Sequence, residues 1–375
     1  MKNSVLTRST AMGLLTLAFA LSATSAWSQS RHHRRRHRES ADDARRDSDR
    51  MRRHRRYDRT REPTTRRGRP ITLPLVTAPE PFDPPPVQDS QPRPYDHVVI
   101  VSIDGLRPDA IAMTDTPNLR MLRSQGAWAQ EARTITHSYT LPSHTSMLSG
   151  VDVDRHGLLH NNFTPRHGFT RSVTALYIAR DAGFTTAMFV SKPKFRHIAI
   201  PGSVDVFERP DYACGPVVRQ AAAHLQATRE GITFVHLSEP DGAGHSRGWM
   251  TESYMRAIAQ ADRCLGVLLR TIQARADRGR VLLLVSADHG GHGRTHGSTQ
   301  ENDMRIPWIA WGSRVRLGDF SEPVSTMDTA ATALGALGLA TPADWTGRPV
   351  RRALDGANGA AETGVASPTR PTIAR

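Results

Sequence analysis

The chain has 375 residues, 38% of them hydrophobic, and a formal charge of +14; its length suits one large α/β domain or two average ones. The charge is concentrated: between Arg31 and Pro70 there are 17 Arg against 7 acidic residues, and the rest of the chain is close to balance. A basic tail on a near-neutral body excludes a protein that reads nucleic acid through a basic face.

The first residues read as a secretory leader. "MKNSVLTRST" carries Lys2 and Arg8. "AMGLLTLAFALSA" is an apolar run of about 13 residues, too short to span a bilayer. The small residues of "ATSAWSQ" suit cleavage after Ala26 or Ser28; a retained anchor is the alternative. Residues 1–28 are therefore expected to be a signal peptide, placing the mature protein in the periplasm or outside the cell. No later run reaches membrane-spanning length, so no transmembrane segment is expected. Residues 29–95 cannot build a core: "RHHRRRHRES" and "MRRHRRYDRT" are charge runs, and "PLVTAPEPFDPPPVQDSQPRP" is extended by its prolines. This basic tail is expected to be disordered, with anionic envelope surface as its contact; a second disordered tail is expected over 353–375.

From Asp96 the pattern changes. "HVVIVSID" is an apolar, β-branched run ending in a carboxylate. "TPNLRMLRSQG" reads as a helix capped by Thr116 and stopped at Gly126. In "SYTLPSHTSMLSG", Thr140 reads as a strand end, Pro142 as a turn and Ser143 as a helix cap. "RSVTALYIARDAG" then "FTTAMFV", and "GPVVRQAAAHLQATREG" then "ITFVHLS", are helix–strand pairs. "TESYMRAIAQADRCLGVLLRTIQARADRG" is a long amphipathic helix leading into "RVLLLVSAD". "RIPWIAWG" is a further strand and "TMDTAATALGALGL" a last helix. Continuous apolar strands alternating with helices predict an α/β domain over 96–352, with a mostly parallel sheet covered on both faces. Cys214 and Cys264 either form a bridge or stand as two buried thiols; neither sits in a C-x-x-C spacing.

Three apolar strands run into polar clusters: one ends at Asp104, one precedes Asp241 and His245, and one precedes Asp288, His289, His292 and His296. Ligands of open α/β sheets bind beyond the carboxyl ends of strands, and Asp and His are good ligands for zinc. Any one of these residues alone is more often a helix cap or a core or surface histidine. Three Asp with three of these four His, following strands and Gly-rich loops, point to two metal sites.

The constellation resembles the alkaline phosphatase superfamily, and within it the type I phosphodiesterase/nucleotide pyrophosphatase branch. "VSIDGLRPD" resembles the family's first ligand strand, "TLPSHTSMLSGVDVDRHGLLHNN" its nucleophile segment, "EPDGAGH" its E-P-D-x-x-G-H motif, and "SADHGGHGRTHG" its D-H-G motif with a later ligand histidine. The match runs from about His97 to Pro349. The resemblance implies a three-layer alkaline phosphatase-like sandwich and two divalent cations, taken as zinc. Asp241, His245 and His296 would hold one cation and Asp104, Asp288 and His289 the other, with His292 a competing last ligand. Thr140 would touch both as nucleophile and pass through a phospho-threonine. Asn161, or Asn162 if the register slips by one, would hold a phosphoryl oxygen. Metal coordination lowers the pKa of an alcohol and makes it a usable nucleophile at neutral pH.

The resemblance implies an exported hydrolase of small phosphoesters, of phosphodiester or pyrophosphate type. A phosphomonoesterase or phosphonate hydrolase of the same superfamily is the alternative. A sulfatase-like enzyme, disfavoured because it needs Cys or Ser where Thr140 stands, and a non-catalytic binder of polyanions are more distant. Lys192 and Lys194 in "FVSKPKFRH" offer cations for a monoester dianion, unless they are solvated loop residues. Leu141 stands where the family has a Phe that stacks a base, and it packs without a π face.

Overall fold

The computed structural model describes residues 93–354. The expected leader over 1–28 lies outside the described residues, as do the tails over 29–95 and 353–375 apart from their inner ends. Those inner ends are packed. Tyr95 is fully buried and its hydroxyl accepts from the Arg314 backbone N–H. Ala353 is also buried, and its carbonyl accepts from Arg316 N–H.

Among the described residues ten strands form in chain order: β1 (His97–Ile103), β2 (Ala127–Ala129), β3 (Ala132–Arg133), β4 (Thr185–Phe189), β5 (Val206–Glu208), β6 (Gly231–Leu237), β7 (Val281–Ser286), β8 (Trp308–Trp311), β9 (Gly318–Phe320) and β10 (Val324–Ser325). Eight of them make one sheet in the order β5-β4-β6-β1-β7-β8-β2-β9, and β10 pairs with β3 in a small second sheet. Only β8 runs against its neighbours in the large sheet. Every residue of β1, β6 and β7 is buried. That pattern requires cover on both faces, which is why these strands are dominated by Val, Ile, Leu and Phe rather than alternating. The architecture is a mostly parallel α/β three-layer sandwich, as the sequence pattern predicts.

The covering helices are α1 (Pro108–Met113), α2 (Pro117–Ser124), α3 (Thr140–Ser149), α4 (Val153–His156), α5 (Ala175–Asp181), α6 (Cys214–Ala227), α7 (Glu239–Arg247), α8 (Glu252–Gln273), α9 (Glu301–Met304), α10 (Asp328–Ala336) and α11 (Arg351–Leu354). Helices α5 and α6 pack on β4 and β6, and α2 packs on β2, β8 and β9. Cys214 and Cys264 form a disulfide with a Cα–Cα distance of 6.1 Å, tying α6 to α8. Among the described residues, no helix is long and apolar enough to cross a membrane.

Readings at two helix starts are corrected. Thr116 precedes α2 without a side-chain cap bond; the cap comes from Asp262 on α8, whose carboxylate accepts from the N–H groups of Asn118 (3.2 Å) and Leu119 (2.8 Å). Ser143 does not cap a helix either. Helix α3 already starts at Thr140, so Thr140 ends no strand and Pro142 lies in the helix rather than in a turn; Ser143 Oγ instead donates to the Asp288 carbonyl at 2.7 Å and meets Thr134 Oγ1 at 2.6 Å. Both outcomes have one cause: partners distant in sequence outcompete the local cap.

Candidate active site

The central strands β6, β1 and β7 lie side by side and end in register, with Ser102 of β1 opposite His236 on one side and Ser286 on the other. Their carboxyl ends carry the acidic and imidazole side chains. Asp104 follows β1 directly, Asp288 and His289 follow β7, and Asp241 lies in the first turn of α7 after β6. His245 is four residues further on, on the same helical face as Asp241. The backbone stitches these ends together: Asp241 N–H donates to Asp104 O at 3.0 Å, and Gly105 N–H to Asp288 Oδ1 at 3.1 Å. Gly105 has φ +71, and a Cβ there would stand 3.0 Å from the Asp241 Cα, so only glycine allows both the turn and the approach.

Two groups of side chains result, Asp241–His245–His296 and Asp104–Asp288–His289, with the donor atoms of each within 4.8 Å of one another. Each carboxylate of the second group has one oxygen occupied. Asp104 Oδ2 accepts from His236 Nε2 at 2.8 Å and from Lys192 at 2.7 Å, and Asp288 Oδ1 accepts from the N–H groups of Gly105 and His289. The other oxygens, Asp104 Oδ1 and Asp288 Oδ2, are buried without a hydrogen-bond partner, as are Asp241 Oδ1 and His289 Nε2. Buried polar atoms without partners are costly and uncommon.

The three histidines share one arrangement. His245 Nδ1 faces Arg294 O at 3.1 Å, His289 Nδ1 faces Gly290 O at 2.8 Å, and His296 Nδ1 faces Ser138 O at 2.8 Å. A carbonyl only accepts, so each Nδ1 carries the hydrogen and each Nε2 presents a lone pair toward its group. Burial pushes the His296 imidazole down to about 3, which favours that neutral form. This donor set fits a divalent cation in each group.

Electrostatics point the same way. Three buried carboxylates face one ammonium, that of Lys192, which contacts Asp104 Oδ2 at 2.7 Å and Asp241 Oδ2 at 2.6 Å. Burial pushes Asp104 up, but Lys192 and His236 outweigh it and hold that carboxyl well below the usual range. Burial and the Asp104 charge push Asp288 well above it. One lysine leaves the three carboxylates with an excess of negative charge, which favours divalent cations at the cluster.

Thr140 stands at the first residue of α3, between contacts to both groups. On one side, His296 bonds the carbonyl of Ser138, and the Tyr139 ring packs against the His296 ring with centroids 5.5 Å apart. On the other, Ser143 bonds the Asp288 carbonyl, and His144 Nδ1 bonds Thr140 O at 2.7 Å while lying 3.4 Å from Asp288 Oδ2. Gly297 has φ +103, and a Cβ there would strike the Tyr139 ring at 2.3 Å. The Leu141 side chain is buried in the core, so it presents no surface to a substrate; its backbone N–H donates to Asn161 Oδ1 at 2.9 Å.

Lys194 Nζ donates to the same Asn161 oxygen at 3.1 Å. Two donors on one oxygen turn the amide nitrogen of Asn161 the other way, free to donate. Asn162 meets the His160 ring through its backbone carbonyl. Neither lysine is a solvated loop residue: Lys192 is buried between the two groups and Lys194 is half-buried against Asn161. Burial and the neighbouring Lys192 push Lys194 down to about 8. His292 belongs to neither group and bonds Asp303 Oδ1 at 2.7 Å. His236 and His144, both fully buried, are site residues that the motif reading missed. The visible signal was a histidine inside an otherwise apolar strand, "ITFVHL".

A family model for type I phosphodiesterase/nucleotide pyrophosphatase matches residues 98–296. Ectonucleotide pyrophosphatase/phosphodiesterase family member 3 of Mus musculus is 25% identical over 214 residues, covering 52% of this chain and 24% of its own length. Family member 7 of Homo sapiens is 26% identical over 243 residues, covering 59% of this chain and 53% of its own length. This chain thus spans about a quarter and about half of these two relatives. Among solved structures, an inactive murine ectonucleotide pyrophosphatase/phosphodiesterase 5 in complex with AMP superposes with a TM-score of 0.55 at 15% identity, over 65% of this chain and 95% of that one.

Proposed function

The chain belongs to the type I phosphodiesterase/nucleotide pyrophosphatase family, and on that premise we propose that it is an exported hydrolase of small phosphoesters that works through a covalent phospho-threonine at Thr140. The observation that carries this reading is the set of unpartnered buried ligand atoms on both sides of Thr140. Asp241, His245 and His296 would hold one divalent cation, and Asp104, Asp288 and His289 a second, with zinc the metal that the Asp/His set suits. Bound there, the cations would supply charge that lowers the pKa of a hydroxyl and offsets charge on the transferring phosphoryl group.

The chain's own residues would do the rest. Thr140 Oγ1 gives up its proton and attacks phosphorus from the positive end of α3; the P–O bond to the leaving group breaks, and that oxygen departs with a proton. The amide nitrogen of Asn161 donates to a non-bridging oxygen, oriented by Leu141 N–H and Lys194. His236 and Lys192 hold Asp104 so that Oδ1 faces its group. Water then cleaves the phospho-threonine. Export rests on the leader-like residues 1–28 and is supported by the Cys214–Cys264 bridge, since such bridges persist in oxidising compartments. The basic segment over 29–95 would contact anionic envelope surface, with the catalytic domain following it.

A second reading, a phosphomonoesterase or phosphonate hydrolase, is favoured by Lys194, a cation beside Asn161 that would suit a dianion. Lys192 is a weaker argument for it, because its ammonium is already shared by Asp104 and Asp241.

The test is turnover of bis-p-nitrophenyl phosphate by zinc-loaded protein. Thr140→Ala should lose about a thousandfold or more in kcat, retain the bound metal, and fail to form a phospho-enzyme trapped by acid quench. Undiminished turnover in Thr140→Ala would remove the threonine from the chemistry. Lys194→Ala, run on p-nitrophenyl phosphate beside the diester, separates the two readings: a loss confined to the monoester favours the second.

A further inference from the structure

Beside Asn161, two segments carry cations and no acid. Residues 155–174 contain Arg155, Arg166 and Arg171 with three histidines, and residues 190–204 contain Lys192, Lys194 and Arg196 with one; neither has an Asp or Glu. They are stitched into one surface. Thr164 N–H donates to His197 Nε2 at 3.1 Å, Thr170 N–H donates to His197 O at 2.8 Å, and His197 Nδ1 donates to Gly168 O. With both ring nitrogens used, His197 is the rivet of the two loops. The His160 ring stacks edge-on against His197 (5.0 Å) and His167 (4.2 Å).

Few of these cations are neutralised. Arg155 pairs with Asp344, and Lys192 with Asp104 and Asp241. Arg196 lies over the Phe207 ring at 5.0 Å, and Lys194 meets only the neutral Asn161 amide. Among the described residues no carboxylate pairs with Arg166, Lys194 or Arg196. Arg166 and His167 are exposed on the 3-10 turn Pro165–His167. His160 donates through Nδ1 to Asn162 O at 3.0 Å, and its Nε2 is buried with no partner.

Elsewhere the described surface mixes signs: Arg133 pairs with Glu301 and Arg123 with Asp319. An acid-free rim touching the residue that would hold a phosphoryl oxygen is a departure from that pattern. Such a rim attracts and orients anions.

We propose that the stitched loops 155–174 and 190–204 form a subsite for a second anionic group on the substrate, a carboxylate or phosphate carried on the ester chain beyond the scissile phosphoryl group. The inference rests on the phosphoester reading above and narrows it to substrates with two anionic centres. Lys194 stands nearest the scissile group, at Asn161, while Arg166 and Arg196 extend the positive surface outward.

The test compares methyl p-nitrophenyl phosphate with 2-carboxyethyl p-nitrophenyl phosphate, which share a leaving group and differ by one tethered carboxylate. The parent should prefer the carboxylated ester in kcat/KM by about tenfold, the size of one charge-assisted contact, and salt should erode that preference. The ratio should fall toward one in Arg166→Gln, fall further in Arg166→Glu, and persist in Arg166→Lys. Arg196→Gln gives an independent second reading. A parent ratio near one, or a ratio unmoved by Arg166→Glu and Arg196→Gln, overturns the subsite while leaving Thr140-dependent hydrolysis intact. No turnover of either ester overturns both. A preference only for long anionic polymers, displayed by binding rather than by the ester ratio, would also overturn it.

Discussion

The ammonium of Lys192 stands between carboxylates of two different ligand groups, and its removal isolates what it does. Lys192→Met leaves Asp104 and Asp241 with one fewer partner in a buried site, a break that costs about 3–5 kcal/mol. In chelator the variant should therefore melt below the parent, and added zinc should raise its Tm by more than it raises the parent's, because cations compensate the same carboxylates. Equal Tm values in chelator would show that the ammonium is not holding the two groups. The residue types of the site were legible because Asp and His after strands are conspicuous. The state of each was not. That Asp104 turns Oδ1 inward while Oδ2 takes His236 and Lys192 depends on β6 lying next to β1, and nothing within "VVIVSID" encodes it. Leu141 shows the converse. Its neighbour position in the motif suggested a substrate contact, but its side chain is buried and its N–H donates to Asn161 Oδ1 instead.

At the scale of elements, the long helices and buried strands follow their hydrophobic period, while their ends follow tertiary contacts. Helix α2 is the instructive case. Its amino end carries Thr116, a good local cap by composition, yet the N–H groups of Asn118 and Leu119 go to Asp262 of α8, and Asn118 Nδ2 joins them at 2.8 Å. Asp262→Ala would strand those buried donors, at a cost of about 2–3 kcal/mol. Urea unfolding should show that loss as a lower midpoint with an unchanged slope. A loss under half a kcal/mol, roughly the scale of a neutral surface change, would mean that Thr116 or water takes over the cap. Short strands such as β2, β3, β9 and β10 were not visible in the sequence. Two or three residues carry no period, and such strands exist only because a neighbouring edge supplies their partners.

For the whole molecule, burial of neutral histidines sets an acid limit away from the metal groups. His97 is held at about 3 by burial and by the Arg275 charge, and its Nε2 meets Thr233 Oγ1 at 2.9 Å. His156 is held at about 4, mainly by burial, and its Nε2 meets Ser146 Oγ at 3.1 Å. Below the unfolded value near 6.5 the unfolded chain takes up a proton that the folded one refuses. Stability is therefore complete above pH 6.5 and falls as pH drops toward 4, by about 2 kcal/mol per histidine at pH 5. Urea titrations at pH 7 and pH 5 should show that fall, and His97→Gln should show about 2 kcal/mol less of it; equal losses in variant and parent would exclude His97. The sequence alone determined the α/β class, the strands that carry chemistry and the Asp and His residues from which the two groups are drawn, because apolar period and residue type are local properties of a chain. Tertiary structure decided which oxygen of each carboxylate faces inward, that His296 rather than His292 joins the first group, and that Lys192 lies between the groups rather than in solvent. It also decided that two acid-free loops meet beside Asn161. Those are properties of strand order and of backbone crossings between segments up to about two hundred residues apart, which no local pattern of side chains specifies.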